Sequence, residues 1–274
     1  MPELNVGPVQ IELRVWVTGI FPAVARGSSG SGNKVGGMSS ERLYFRQLLS
    51  GRDYAVGDPI ATQMRNFAYL IGDRETGECV VIDPAYAAGD LVDIAEGDGL
   101  RLSGVLATHH HPDHVGGTML GFTLRGVREL LEKTSVPVHV NAKELPWVAN
   151  VTGIAESELT GHEHGDKVTV GAFDIELLHT PGHTPGSQCF LFDNRLIAGD
   201  TLFVDGCGRT DFPGGDSDEM FRSLRYLAGL SGDPVVYPGH WYSQEPSAAL
   251  STVRDKNYVM RPQTLEQWHM LMPG

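Results

Sequence analysis

The sequence predicts an α/β fold with helices packed outside mixed β-sheets. Three observations predict it. From about residue 60, short apolar runs alternate with helical patterns. The runs are bounded by Gly, Asp and Pro, as strands between loops are. Finally, 274 residues with 41% hydrophobic and 20% charged composition can bury a substantial core without disulfide or metal staples.

The elements follow in order. Val9, Ile11, Leu13, Val15 and Val17 alternate with other residues as in a half-buried strand, and Gly27 to Asn33 reads as a flexible linker. Residues 1–40 are therefore expected to be an extension, appended or poorly ordered, and residues 41–274 the main folded domain. Phe67–Ile71 and Cys79–Ile82 read as paired strands, and Leu91–Glu96 as a short helix. Gly104–Ala107 is a buried strand ending at a histidine. Val127–Glu132 is helical, and Val136–Val140 is a strand placed near a sheet edge by Pro137. Lys167–Val170 and Phe173–Leu178 form a hairpin around Gly171, and Gln188–Phe192 and Arg195–Ala198 form another around Asp193-Asn194. Ser217–Leu227 is an amphipathic helix, and Val235–Tyr237 is a last strand.

Charge and cysteine usage narrow the function classes. The chain has 34 acids against 21 Lys and Arg, a net charge of −13. That balance argues against nucleic acid and against an anionic membrane surface as partners. Cys79, Cys189 and Cys207 are odd in number and widely spaced, which points to a reducing compartment and a cytoplasmic protein. No run approaches the roughly 18 apolar residues of a spanning helix. Val15–Ala25 lacks the basic flank of a signal peptide, with Glu3 and Glu12 upstream. A homo-oligomer is compatible with the sequence.

The chemistry concentrates in Thr108-His109-His110-His111-Pro112-Asp113-His114-Val115-Gly116-Gly117. This block follows a buried strand, where open α/β sheets place ligands. With 11 histidines in the chain, chance grouping of four within six positions is well below about one in a hundred. Imidazole and carboxylate are the donors expected for Zn, Fe or Mn. Three later segments repeat one plan: an apolar run, a Gly loop, then a His or Asp. They are Leu177 to His183, Leu196 to Asp200 and Val235 to His240. The glycine before each candidate ligand permits close backbone approach and positive φ.

H-x-H-x-D-H followed by His183, Asp200 and His240 resembles the metallo-β-lactamase superfamily over about residues 60–245. The resemblance implies a four-layer αββα sandwich. It also implies two metal sites: His109, His111, His183 and Asp200 in the first, and Asp113, His114, His240 and the shared Asp200 in the second. Within the superfamily, the histidine block and Gly199 to Phe203 resemble glyoxalase II (hydroxyacylglutathione hydrolase). In that family the positions of Arg209 and Tyr242 contact the glutathione moiety. Gly208 to Phe212 is similar instead to persulfide dioxygenases and short bacterial glyoxalase II-like proteins. With 34 residues after His240, the helical C-terminal domain of glyoxalase II is expected to be absent. Met119–Lys133 is longer than the family pattern and is expected to shape a pocket of its own.

The implied activity is hydrolysis of a small thioester by two divalent metal ions, zinc before iron or manganese, with Asp113 and Asp200 as catalytic residues. Metal binding lowers the pKa of water from about 15.7 toward roughly 7, so two such ions would supply a hydroxide nucleophile without a side-chain base. Two alternatives use the same centre: a mononuclear iron persulfide dioxygenase on His109, His183 and Asp200, and a lactonase or other ester hydrolase. Thr180 and Thr184 are candidates for orienting the imidazoles. The remaining residues have plainer readings. His110 is expected to point away from the centre, His139 to lie on a sheet face, and His162 and His164 to belong to a solvated loop. His179 is read as structural support, Cys207 as a small buried hydrophobe, and Trp147 and Trp241 as packing residues.

Overall fold

A computed structural model describes residues 41–272. The expected extension at residues 1–40, with its strand pattern and linker, lies outside the described residues. Two six-stranded sheets and a small hairpin organise the fold. In the first sheet β1 (Leu43–Leu49), β2 (Phe67–Asp73), β3 (Glu78–Ile82) and β4 (Arg101–Leu106) are neighbours, and α1 (Pro59–Met64) and α2 (Ala88–Gly97) occupy the connections. After α3 (Pro112–Val115), strands β5 (Gly117–Met119) and β6 (Phe122–Leu124) form the hairpin. The chain then runs through α4 (Val127–Lys133), β7 (Val138–Asn141), α5 (Leu145–Thr152) and β8 (Leu159–His162), which complete the first sheet in the order β1-β2-β3-β4-β7-β8.

The second sheet follows: β9 (Lys167–Val170), β10 (Phe173–His179), β11 (Gln188–Phe192), β12 (Arg195–Gly199), β13 (Val235–Pro238) and β14 (Ala248–Ala249), adjacent in chain order. Helix α6 (Ser217–Ala228) connects β12 to β13, and α7 (Leu250–Lys256) and α8 (Leu265–Leu271) end the described chain. Both hairpins form as expected, with Asp193 and Asn194 at positive φ as a two-residue turn requires. The edge position expected for the Val136–Val140 strand is corrected. β7 lies inside the sheet between β4 and β8, because Pro137 sits before the strand and removes no ladder donor from it.

Strand alternation sorts the apolar residues into three cores. Val80 and Ile82 of β3 face Ile175 and Leu177 of β10 and Ile197 of β12 between the sheets. Cys79 and Val81 turn the other way, against Leu91, Val92 and Ala95 of α2 and Leu130 of α4. On the far side, Leu196 and Ala198 of β12 pack with Met220 and Leu224 of α6 and Trp268 of α8. Helix, sheet, sheet and helix therefore stack as the four expected layers. Because both faces of each central strand are buried, the sequence shows continuous apolar runs there rather than alternation. Among the described residues, no helix is long and apolar enough to cross a membrane.

Parallel pairing of β3 with β4, and of β12 with β13, brings four strand C-termini to common ends of the two sheets. The loops leaving those ends are tied together. Asp83 N–H donates to the Leu106 carbonyl at 3.1 Å, Gln188 N–H to Thr108 at 2.9 Å, Gly239 N–H to Gly199 at 2.8 Å and Phe67 N–H to Gly239 at 2.8 Å. These bonds fix the spacing of the candidate ligands before any side chain is considered.

Candidate metal centre

All seven sequence-predicted ligands converge on these loops, and they fall into groups. His109 Nε2 lies 3.1 Å from His111 Nδ1, which lies 2.9 Å from His183 Nε2. His114 Nε2 lies 3.2 Å from His240 Nε2, and Asp113 Oδ2 lies 3.7 and 3.4 Å from those two nitrogens. Asp200 joins the groups. Its Oδ1 is 3.5 Å from His114 Nε2, and its Oδ2 is 3.7 Å from His183 Nε2 and 3.3 Å from His240 Nε2.

These separations fit cations. Tetrahedral donors about 2.1 Å from a metal stand about 3.4 Å from one another, and the observed edges bracket that value. Asp200 Oδ1 supplies a second indication, since it is buried with no hydrogen-bond partner. An unpaired carboxylate oxygen is costly to bury unless a charge meets it. Two glycines make the approach possible for different reasons. Gly199 adopts φ +49°, whereas Gly239 has an ordinary backbone but a Cβ there would collide with Asp200 Oδ1.

The electrostatics separate the two triads. Burial, with His114, His111 and His183 adding to it, holds His109 well below the ordinary histidine range. Burial and then His183 and His110 push His111 down to about 3. Neutral rings offer free lone pairs to a cation. In the second triad burial opposes protonation of His114, but Asp200, Asp113 and Asp83 outweigh it and raise the group to about 10. Burial would likewise raise Asp200, yet His240 and His114 hold it below the usual carboxylate range. The carboxylates thus favour positive charge between them.

Outer contacts orient the rings. His114 Nδ1 donates to Asp83 Oδ2 at 2.9 Å, His183 Nδ1 to the Arg209 carbonyl at 2.6 Å and His240 Nδ1 to the Met64 carbonyl at 2.9 Å. His109 Nδ1 meets Thr108 Oγ1 at 3.0 Å, while that hydroxyl donates to Asp83 Oδ2 at 2.6 Å. In each case Nε2 is left facing the centre; His111 alone presents Nδ1. Thr180 and Thr184 do not orient rings, contrary to expectation. Thr180 Oγ1 meets Cys189 and Thr201, and Thr184 Oγ1 donates to Glu144.

Sequence reasoning missed Asp83, Asn66 and Glu144. Asp83 shares the signature of the candidate ligands, a polar residue directly after a buried strand, and so was findable. Asn66 and Glu144 carry no comparable local mark. Glu144 accepts from His110 Nδ1 at 2.6 Å, Thr184 Oγ1 at 2.7 Å and Gly186 N–H at 2.8 Å, tying the His109 loop to the His183 loop. His110 points away from the centre as expected, with Trp147 stacked on its ring. Asp83→Asn is expected to weaken zinc binding about 10- to 100-fold, read by chelator competition, because it loses an ionic acceptor shared by Thr108 and His114. Unchanged affinity would remove Asp83 from this role.

The rim is aromatic. Phe212 meets His111 edge-on at 5.4 Å, and Tyr242 stacks on His240 at 4.6 Å. Arg209 lies over Phe212 at 4.5 Å and forms a two-point pair with Asp211 at 2.9 and 2.6 Å. Met119–Lys133 supplies the end of β5, β6 and α4, and a cavity of about 180 Å³ lies between these elements, α3 and α5, lined by Val115, Thr123, Arg128 and Val151. None of the seven candidate ligands lines it. His139 and His162 pair across β7 and β8 at 2.9 Å, and His179 Nε2 meets the Pro185 carbonyl at 3.0 Å. Burial pushes the Cys207 thiol up to about 12, against a reactive thiolate.

Comparison with known proteins agrees with this construction. Residues 61–240 match the Metallo-beta-lactamase superfamily. A hydroxyacylglutathione hydrolase of Rhodospirillum rubrum is 34% identical over 212 residues, 76% of this chain and 74% of that protein. The human mitochondrial persulfide dioxygenase ETHE1 is 35% identical over 185 residues, 64% of each chain. The crystal structure of ETHE1 from Myxococcus xanthus superposes with a TM-score of 0.66 at 30% identity, covering 84% of this chain and 89% of that one. With the fold, the loop-borne histidines and the matched span in agreement, this chain belongs to the metallo-beta-lactamase superfamily.

Proposed function

We propose that residues 41–274 form a binuclear metal-dependent hydrolase that cleaves a small thioester. The observation that carries this reading is Asp200, whose carboxylate reaches His183 of the first triad at 3.7 Å and His240 and His114 of the second at 3.3 and 3.5 Å. One carboxylate spanning two triads suits a pair of cations better than a single one. His109, His111, His183 and Asp200 would hold the first cation, and Asp113, His114, His240 and Asp200 the second. Bound divalent cations, zinc foremost and iron or manganese as alternatives, would supply a nucleophilic water near neutral pH and polarise the thioester carbonyl.

The chain's own residues do the rest. Asp113 and Asp200 balance the cationic charge and fix where the nucleophile lies relative to the carbonyl. Phe212 and Tyr242 form apolar walls on opposite rings of the centre, His111 and His240, and restrict the approach of the acyl group. A thiolate leaves readily, since its pKa is about 8.5, and no dedicated acid is required. Arg209 is suited to a carboxylate on the thiol carrier. Its pair with Asp211 is solvent-exposed and worth at most about 1 kcal/mol, so a substrate anion can displace Asp211.

Arg209→Ala is expected to raise KM for glutathione thioesters about tenfold, with kcat within about twofold. An unchanged KM would place the carrier elsewhere. The reading itself is tested by thiol release from an acylthiol panel with zinc-loaded protein. Hydrolysis of one member supports it. Absence of release, with oxygen uptake on glutathione persulfide, would instead support the dioxygenase reading, which Arg209-Thr210-Asp211-Phe212 and the relatedness to persulfide dioxygenases favour.

A further inference from the structure

We infer that Asn66 and Tyr86 act as a positioning pair for the second cation position alone. The inference rests on the two-cation reading above. Asn66 Nδ2 lies 3.1 Å from Asp113 Oδ2 and 3.4 Å from each of His114 Nε2 and His240 Nε2. It therefore caps the triad almost equally from all three donors. The same nitrogen donates to the Asp113 backbone carbonyl at 3.0 Å, so one amide fixes both the side chain and the main chain of that residue.

The amide orientation is determined by its partners. Both Asp113 oxygens accept only, so Nδ2 must face them. Oδ1 then receives the Tyr86 hydroxyl proton at 2.9 Å. Asn66 and Tyr86 are buried, which removes competing water. Tyr86 also sits at φ +70°, a left-handed conformation unusual for a bulky residue. Such a backbone persists where surrounding structure holds a side chain in place, and here it delivers the hydroxyl to Asn66.

Two consequences follow for the second position. An amide nitrogen has no lone pair available to a cation, so Asn66 cannot ligate and instead closes one face of the triad. Its two donated bonds also hold the Asp113 carboxylate at its distances from the ring nitrogens. The first triad has no such contact with Asn66; His109 is held by Thr108 and His183 by the Arg209 carbonyl. Loss of the pair should therefore be felt by one cation and not by the other.

The test is stepwise chelator extraction of the zinc-loaded full chain, with zinc per chain read by elemental analysis. Wild type is expected to hold two zincs. Asn66→Ala is expected to release one of them at about tenfold lower chelator, with the other step unmoved. Tyr86→Phe, which keeps the amide but frees its orientation, should move the same step by a smaller factor, and it carries the test if Asn66→Ala does not fold. A purely structural role would move both steps together. Two zincs in wild type with both steps shifted, or neither, would overturn this inference alone. A wild-type chain holding a single zinc would overturn it together with the two-cation reading.

Discussion

Asp200→Ala is expected to lower kcat/KM by at least about 10³-fold and to reduce bound metal. Asp200 reaches both triads through its carboxylate, and its Oδ1 is buried without a hydrogen-bond partner. Removing it leaves two clusters of imidazoles with less negative charge between them. Loss of several kcal/mol of charge stabilisation corresponds to about three orders of magnitude in rate. Asp200→Asn keeps the volume but discards the charge, and should fall nearly as far. Near-normal metal content and activity in both variants would remove Asp200 from the centre.

The largest expected effect on stability lies away from the chemistry. Trp268→Ala should cost about 3–5 kcal/mol, because a buried indole in a packed core leaves a cavity that the surroundings refill only partly. Trp268 is fully buried, packs on Phe221 at 6.0 Å, and donates from Nε1 to Ser217 Oγ at 2.8 Å. It thereby fastens α8 to the start of α6. The start of α6 in turn holds the His183 loop, since Asp216 N–H donates to the Gly182 carbonyl at 2.8 Å. A drop in Tm of about 10 °C is expected from a thermal scan. Zinc bound per folded chain should stay the same. A loss below about 1 kcal/mol would show that α8 is dispensable to the core.

The strands and the seven candidate ligands were legible for a physical reason. A fully buried strand must be apolar on both faces, and a ligand at its end must be polar, so the transition stands out along the chain. Gly104 to His109, Leu196 to Asp200 and Val235 to His240 all show it. The supporting contacts were less legible, because they are set in space. Glu144 precedes α5 in a polar stretch and acquires meaning only through His110 and Thr184, residues 34 and 40 positions distant. Asn66 meets Asp113 across 47 positions. Ring orientation by the backbone carbonyls of Met64 and Arg209 leaves no trace in residue type at all. The C-terminal helices α7 and α8 were missed for another reason. At seven residues each they are too short for periodicity to stand out, and tertiary packing holds them.

One carboxylate joining two cation positions requires about two metal ions per folded chain. Elemental analysis of the purified protein, paired with thiol release from an acylthiol, is expected to give about two divalent cations per chain, mostly zinc, with hydrolysis rising as the second position fills. About one iron per chain, with oxygen consumed on glutathione persulfide and no thioester cleaved, would rule out a binuclear hydrolase and identify a dioxygenase.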